Sequence, residues 1–267
     1  MNKYGVWMMA LLAVNAAQAH RLWVQAEHVH GGEVLKANLG YGEFPELEEI
    51  VPDRLHIFAK PMQLVSATGK EDLLQKGEFN YQYESKAPVP EGSYLVLAEY
   101  QPTFWSKNKE GWKQVDMQAM PDATYCEQTR MYGKSVVNVG HESAALEGIT
   151  RPVGQGLEIV PLDNPANVLV SELFPVKVLF NGEPLVGATV TATFEGFDVS
   201  DRSQSHKVEA QAFSDVTQAD GTVNIIPLRQ GFWKASVEHK TDFPDPAVCQ
   251  KLASYSTLTF EIGNNHH

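Results

Sequence analysis

The residues with the clearest chemical potential lie at the predicted start of the mature chain. Residues 6–14 form an apolar run, and Ala17-Gln18-Ala19 is a small-x-small cleavage motif. We therefore predict that residues 1–19 are a secretory signal peptide. Cleavage after Ala19 makes His20 the first residue, so its α-amine and imidazole can together chelate one metal ion. Both groups lose their protons readily near neutral pH.

Three further histidines are the candidate partners of His20. His28 and His30 are two residues apart, a spacing that places both imidazoles on one face of a strand. His239 ends the strand pattern FWKASVEHK, where it shares a face with apolar residues. An imidazole on such a face needs a hydrogen-bond partner or a metal ion. We predict His20, His239, His28 and His30 as metal ligands, although each partner is equally compatible with an ordinary surface or backbone-bonded histidine.

Neutral nitrogen ligands suit copper(II), nickel(II) and zinc(II), and intrinsic affinity favours copper. A site with three nitrogen ligands resembles the copper site of oxidative polysaccharide monooxygenases. A copper-binding protein or an oxidative enzyme is therefore one alternative, with Trp105 and Trp112 as its aromatic surface. The chain has no GxSxG, HExxH or phosphate-loop motif. We accordingly predict a binding protein and no enzymatic activity.

Short strands separated by turns are the elements that must position these residues. Apolar residues alternate along segments such as RLHIFAK, and Asp220-Gly221 is typical of a hairpin turn. In the second half, the strands recur about every ten residues, which indicates a β-sandwich. We predict an all-β protein with two β-sandwich domains. The second sandwich is expected to be immunoglobulin-like or transthyretin-like.

The turn-rich segment RPVGQG marks the predicted domain boundary. It separates an N-terminal β domain, residues 20–153, from a C-terminal sandwich, residues 154–263, and residues 264–267 form a tail. Cys126 and Cys249 lie on opposite sides of this boundary. Exported chains are usually oxidised, so we predict a structural disulfide that holds the two halves together.

The net charge and the hydropathy limit the possible partners. The formal net charge of −12 makes nucleic acid a poor partner. After the predicted signal peptide, no apolar run is long enough to span a bilayer.

Several blocks of the sequence resemble a known family. These blocks are the start Ala19-His20-Arg21-Leu22-Trp23 and the runs GQGLEIVPLDNP, VKVLFNGEPLVGATVTATFEGF, TQADGTVNIIPLRQGFWKASVEHK and STLTFEIG. They are similar to the NikM-like and NikK-like periplasmic family associated with nickel and cobalt uptake, much of which carries only an unknown-function label. The resemblance implies a periplasmic protein that binds a divalent transition metal ion. Nickel or cobalt is favoured, and copper and zinc remain open.

The same resemblance implies an inner-membrane metal permease as the partner. It includes His239 and therefore favours that residue as the second ligand. A metal-free, immunoglobulin-like binding module is the other alternative to a metal-binding function.

Overall fold

A computed structural model of the chain describes residues 20–27, 29–77, 81–140, 146–197 and 209–263. The predicted signal peptide, His28 and the predicted tail lie outside these ranges. The first half contains β1 (Arg21–Ala26), β2 (Lys36–Gly42), β3 (Gln63–Ser66), β4 (Gly69–Asp72), β5 (Leu74–Gln75), β6 (Gln82–Glu84), β7 (Gly92–Asn108), β8 (Gly111–Lys113) and β9 (Tyr125–Val139). The second half contains β10 (Leu157–Pro161), β11 (Phe174–Phe180), β12 (Glu183–Pro184), β13 (Thr189–Phe194), β14 (Phe213–Val216), β15 (Thr222–Ile225), β16 (Gly231–Asp242) and β17 (Lys251–Ile262).

Helical structure in the described ranges is limited to two short 3₁₀ helices, Pro52–Phe58 and Pro165–Asn167. The all-β prediction is therefore confirmed. Neither helix has the length or the apolar character needed to cross a bilayer, and the part of the chain that the structure describes holds no other candidate.

One nine-stranded sheet runs through the whole structure. Its order is β14-β13-β16-β17-β9-β7-β3-β4, and β8 pairs with β7. The two halves of the chain meet where β17 pairs in parallel with β9. The predicted boundary between residues 153 and 154 lies in the connection from β9 to β10, while the sheet is continuous across the two halves.

A smaller sheet packs on each face of this central sheet. Alternate residues of β7 divide between two hydrophobic cores, with Val96 and Ala98 in one and Leu95 and Leu97 in the other. The first core lies under the sheet β1-β2-β6-β5, and the second lies under β10-β11-β12 with β15. The result is two β-sandwiches that share a central layer, which agrees with the predicted pair of sandwiches.

Strand β1 is held against the central sheet by side chains of β17. The hydroxyls of Thr257 and Thr259 donate to the carbonyls of Leu22 and Val24 at 2.8 and 2.6 Å. On its other side, β1 pairs with β2, and the indole of Trp23 covers the backbone of Gly40. A Cβ atom at Gly40 would lie 2.1 Å from Trp23 Cε2, so only glycine fits there. These contacts fix the start of β1, where His20 lies.

The predicted disulfide is present. Cys126 at the start of β9 is bonded to Cys249, just before β17, and their Cα atoms are 5.1 Å apart. The bond therefore joins the starting ends of the two parallel strands through which the halves pair. In the chain-entropy model, a loop closed over 123 residues contributes about 5 kcal/mol.

Two local predictions are wrong. The segment RLHIFAK was expected to be a strand, but most of it belongs to the 3₁₀ helix that begins at Pro52. Ile57 and Phe58 are both buried in one core, which the alternation of a strand does not allow. The Asp220-Gly221 turn also does not close a hairpin within one sheet, because β14 pairs with β13 whereas β15 pairs with β11.

Candidate functional site

His20 directly precedes β1 and packs on the neighbouring strand. Its ring stacks on Tyr41 of β2, with ring centroids 5.4 Å apart and planes inclined by 26°. A Cβ atom built on Gly42 would lie 3.7 Å from His20 Cδ2 and 3.3 Å from Glu48 Oε2. The imidazole and the Glu48 carboxylate therefore border the same small space above Gly42.

The surroundings of His20 favour the neutral imidazole. Partial burial lowers the pKa of His20, and the positive charge of Arg54 lowers it further. Glu48 and Glu43 act in the opposite direction, but they do not outweigh the first two effects. A neutral imidazole is the form that binds metal ions.

This corner of the molecule can offer a metal ion nitrogen and oxygen donors. The imidazole of His20 and the carboxylate of Glu48 are both present, and signal cleavage would add the α-amine of His20. Such a mixed set fits borderline divalent ions such as nickel, cobalt, copper and zinc. Among the residues with described positions, no group of three or more His, Cys, Asp or Glu side chains converges on one point.

The structure places His239 on the other side of the central sheet from His20. Its ring contacts Phe180 of β11 edge to face, with centroids 4.5 Å apart, beside the second core. The preceding residue, Glu238, points to the opposite face and lies 3.4 Å from Arg21. His239 thus shares a strand face with apolar residues, as predicted, but that face is on the opposite side of the sheet from His20.

His30 also lies away from His20. The two histidines flank opposite ends of the six-residue strand β1, which spans about 20 Å. The backbone N–H of His30 donates to the carboxylate of Glu33 at 3.0 Å. The three predicted ligands with described positions, His20, His30 and His239, therefore occupy three separate places, and His28 lies outside the described residues.

A shallow cleft opens next to His20 on the β1 face of the central sheet. It is open to solvent, and the space within it is about large enough for one water molecule. The lining combines five aromatic rings with charged, polar and sulfur-containing side chains: Arg21, Tyr41, Tyr100, Trp105, Trp112, Glu127, Thr129, Met131 and Tyr255. We call this the aromatic cleft. Tyr41 belongs both to its lining and to the stack with His20.

Hydrogen bonds link the aromatic side chains of the cleft. The indole N–H of Trp105 donates to the hydroxyl of Tyr100 at 2.8 Å, and Tyr100 in turn hydrogen-bonds Tyr41. Burial raises the pKa values of both tyrosines, so their hydroxyls keep their protons. The cleft therefore presents neutral phenols near His20.

The charges in the cleft are paired. Glu127 is almost fully buried, accepts from the hydroxyl of Tyr125 at 2.8 Å and lies 3.1 Å from Lys240. The guanidinium of Arg21 lies over the ring of Tyr255, 4.1 Å from its centroid. The cleft is thus lined by one negative group, Glu127, and one positive group, Arg21. The charge of Glu127 is balanced by Lys240.

Sequence reasoning identified Trp105 and Trp112 as an aromatic surface but did not connect them with Tyr41, Tyr100 or Tyr255. The hairpin of β7 and β8, where Lys107 pairs with Trp112, carries the two tryptophans into the cleft. The three tyrosines come from β2, β7 and β17, which are far apart in the chain. Only the alternation within each strand could have indicated them.

Comparisons with known proteins give one family match. A family model described as "Domain of unknown function (DUF4198)" matches residues 17–241. No curated protein matches the sequence significantly.

Several solved structures show a likeness to this chain. One is to the D0-D1 domain of Intimin, with 11% identity over 89% of this chain and 96% of that one and a TM-score of 0.22. The Hoc outer capsid protein of bacteriophage RB49 is another, through its three N-terminal domains, with 9% identity over 91% and 59% and a TM-score of 0.20. At these TM-scores we infer neither fold nor function from the likeness.

Proposed function

This chain belongs to the DUF4198 family of domains of unknown function, and we propose that it is an exported protein that binds a divalent transition metal ion. In this proposal the signal peptide is removed after Ala19. The α-amine and the imidazole of His20 then bind one ion, and Glu48 contributes a carboxylate oxygen. The proposal assigns the protein capture and release of the ion and no reaction.

The observation that carries the proposal is the environment of His20. Burial and the charge of Arg54 lower the pKa of its imidazole, which favours the neutral form, and a carboxylate borders the same space. A ring stacked on Tyr41 is also restricted in its rotation, which lowers the entropy lost when the ring binds an ion. A histidine that merely followed a cleavage site would need none of these features.

The proposed biological role is nickel or cobalt uptake in the periplasm. It is supported by the resemblance of the Ala19–Trp23 start and the C-terminal sequence blocks to NikM-like and NikK-like proteins. In this role an inner-membrane permease would receive the ion. A site with few protein ligands would leave coordination positions open, which favours rapid transfer.

Two of the other predicted ligands, His239 and His30, are not part of the proposed metal site. His239 lies on the far face of the central sheet, and His30 lies at the far end of β1. We therefore assign them no share in the site of His20. His28 stays a predicted ligand.

A copper-binding function is the second candidate. The aromatic cleft favours it, because Trp105 and Trp112 both line a cleft that begins at the ring on which His20 stacks. An oxidative enzyme would need such a surface for its substrate. Copper also has the highest intrinsic affinity for nitrogen ligands, so the test must compare the affinities of the four metals.

Calorimetric titration of the exported protein with nickel, cobalt, copper and zinc tests the proposal. We expect one ion per chain, and the His20→Ala variant should bind at least about tenfold more weakly because it keeps the α-amine but loses the imidazole. His239→Ala and His30→Ala are matched controls and should bind like the wild type. Unchanged binding in His20→Ala, or loss in His239→Ala, would contradict the proposal. Preferential binding of copper together with copper-dependent oxidation would favour the second candidate.

A further inference from the structure

One end of the second sandwich carries an exposed aliphatic surface. Six of the twelve large apolar side chains that are exposed in the described ranges lie there, each with between 37% and 56% of its surface accessible. They belong to the residue after β10, the loop before β11 and the loop after β15. We call this surface the aliphatic patch, and its members are Leu162, Leu169, Val170, Leu173, Ile226 and Leu228.

The pairing of β11 with β15 brings two members of the patch together. Phe174 of β11 is opposite Ile225 of β15, and both side chains are buried in the second core. Successive side chains of a strand point to opposite faces, so the next residues, Leu173 and Ile226, point away from that core. They therefore lie side by side on the outer face of the small sheet.

Two backbone hydrogen bonds bring the other members to the same end. The N–H of Leu162 donates to the carbonyl of Pro175 at 2.9 Å, which continues the pairing of β10 with β11 by one residue. The N–H of Ser171 donates to the carbonyl of Pro227 at 2.8 Å, which holds the loop before β11 against the loop after β15. The six side chains thus form one continuous surface.

The size of the patch matches what a homodimer needs. Its exposed fractions amount to about 500 Å² of apolar surface, which is within the range of functional patches on soluble proteins. A standard interface buries about 800 Å² per partner, and about 65% of a homodimer interface is apolar. The aliphatic patch therefore supplies nearly all the apolar area of such an interface.

One acidic and one basic residue border the patch. Glu172 lies in the loop before β11, Arg229 lies in the loop after β15, and both are exposed. Glu172 accepts from the backbone N–H of Leu169 at 3.0 Å, and Nε of Arg229 donates to the carbonyl of Gln230 at 3.2 Å. Neither forms an ion pair with another residue of described position. In a two-fold contact each of these charges can face the other, because residue i contacts residue j and residue j contacts residue i.

We propose that the aliphatic patch binds a second copy of this chain about a two-fold axis. The aliphatic side chains of the two copies pack together, and Glu172 of each copy pairs with Arg229 of the other. The composition disfavours a lipid surface, because none of the six members is a Trp or Tyr, the residues that anchor proteins at membrane interfaces. The net charge of −12 also repels anionic lipids.

The dimer does not depend on the proposed metal-binding function. The second sandwich and strand β1, which follows His20, lie on opposite faces of the central sheet. All association measurements can therefore be made with EDTA present, and their result is separate from that of the metal titrations.

Sedimentation equilibrium of the exported protein over a range of concentrations tests the proposal. We expect a dimer, and Leu173→Glu and Leu228→Glu should each weaken it at least about tenfold because they bury a carboxylate in the interface. Leu74→Glu makes the same change at an exposed leucine of β5 and should dimerise like the wild type. Circular dichroism verifies that each variant is folded. A monomeric wild type, or association that is equal in all the variants, overturns the proposal.

A charge exchange tests the two-fold pairing. Arg229→Glu should weaken the dimer about tenfold, because it places two carboxylates opposite each other at each end of the interface. The double variant Glu172→Arg, Arg229→Glu exchanges the two charges and should restore the association. A folded double variant that associates as weakly as Arg229→Glu alone would overturn the two-fold arrangement.

Cosedimentation with lipid vesicles tests the alternative occupant. The vesicles contain phosphatidylcholine, with or without phosphatidylglycerol, and we expect the wild type to bind neither. A wild type that is monomeric in solution and binds vesicles, with the binding lost in Leu173→Glu, would assign the patch to a lipid surface and overturn the proposal.

Discussion

The chemistry of His20 depends on charges that come from two different segments. Arg54 belongs to the 3₁₀ helix Pro52–Phe58, and Glu48 lies in the loop before it. The positive charge of Arg54 opposes protonation of the imidazole, and the negative charge of Glu48 promotes it. Partial burial also opposes protonation. The balance leaves a ring that is neutral at a lower pH than a solvated histidine.

This balance gives a prediction about the pKa of His20 in the metal-free protein. Arg54→Gln removes a positive charge that disfavours the imidazolium, so the pKa should rise. Glu48→Gln removes a negative charge that favours it, so the pKa should fall further below the ordinary value. NMR titration of the His20 ring protons between pH 4 and 8 measures both shifts. Shifts in the same direction, or none in either variant, would show that the ring does not lie among these charges.

At the scale of elements, a buried ion pair ties β9 to β10. Lys134 on β9 donates to Glu158 on β10 at 2.7 Å, and both side chains are almost fully buried. The carboxylate of Glu158 also accepts from the backbone N–H groups of Val153 and Gly154, at 2.7 and 3.1 Å. The pair therefore anchors the connection where the predicted domain boundary falls.

Glu158→Gln should destabilise the protein by about 3 kcal/mol or more, because it leaves the charge of Lys134 buried without a counter-charge. The matched control is Glu99→Gln in the Lys60–Glu99 pair, whose nitrogen and oxygen are 2.6 Å apart with far more exposed side chains. Surface pairs contribute about 0–1 kcal/mol, so this control should change little. Urea unfolding curves measure both. Losses of similar size in the two variants would contradict the structural role given to Glu158.

The sequence predicts individual strands better than their spatial arrangement. The alternation in FWKASVEHK correctly places His239 on an apolar face, because the side chains of a strand point alternately to its two sides. That alternation cannot say which face carries β1, since the answer depends on the long-range pairing of β17 with β9. The Pro52–Phe58 helix was missed because apolar spacing in a short segment fits a strand equally well.

The candidate site was predictable only in part for the same reason. His20 follows from a cleavage motif, which is local in the sequence. The surroundings formed by Tyr41, Glu48 and Arg54 depend on how β1 lies beside β2 and on the loop that follows. The aromatic cleft draws on six strands, β1, β2, β7, β8, β9 and β17, and no spacing in the chain relates them.

At the scale of the whole molecule, the two halves are joined at their shared sheet in two ways. Strands β9 and β17 pair in parallel over Glu127–Ser135, and the Cys126–Cys249 bond closes the end from which both strands start. The aromatic cleft takes Glu127 from β9 and Tyr255 from β17, so it lies across this junction. Holding the halves together therefore also holds the cleft and the neighbouring His20 in one geometry.

The central claim is that the mature N-terminus itself binds the ion, and one comparison tests it most directly. An exported variant with one extra alanine between Ala19 and His20 keeps every side chain but moves the α-amine away from the imidazole. Intact mass spectrometry verifies the N-terminus of both proteins, and calorimetric titration with nickel follows. We predict that the wild type binds one nickel ion and that the extended protein binds it at least about a hundredfold more weakly, because the chelate ring of the amine and the imidazole is lost. Equal affinity in the two proteins would contradict the claim.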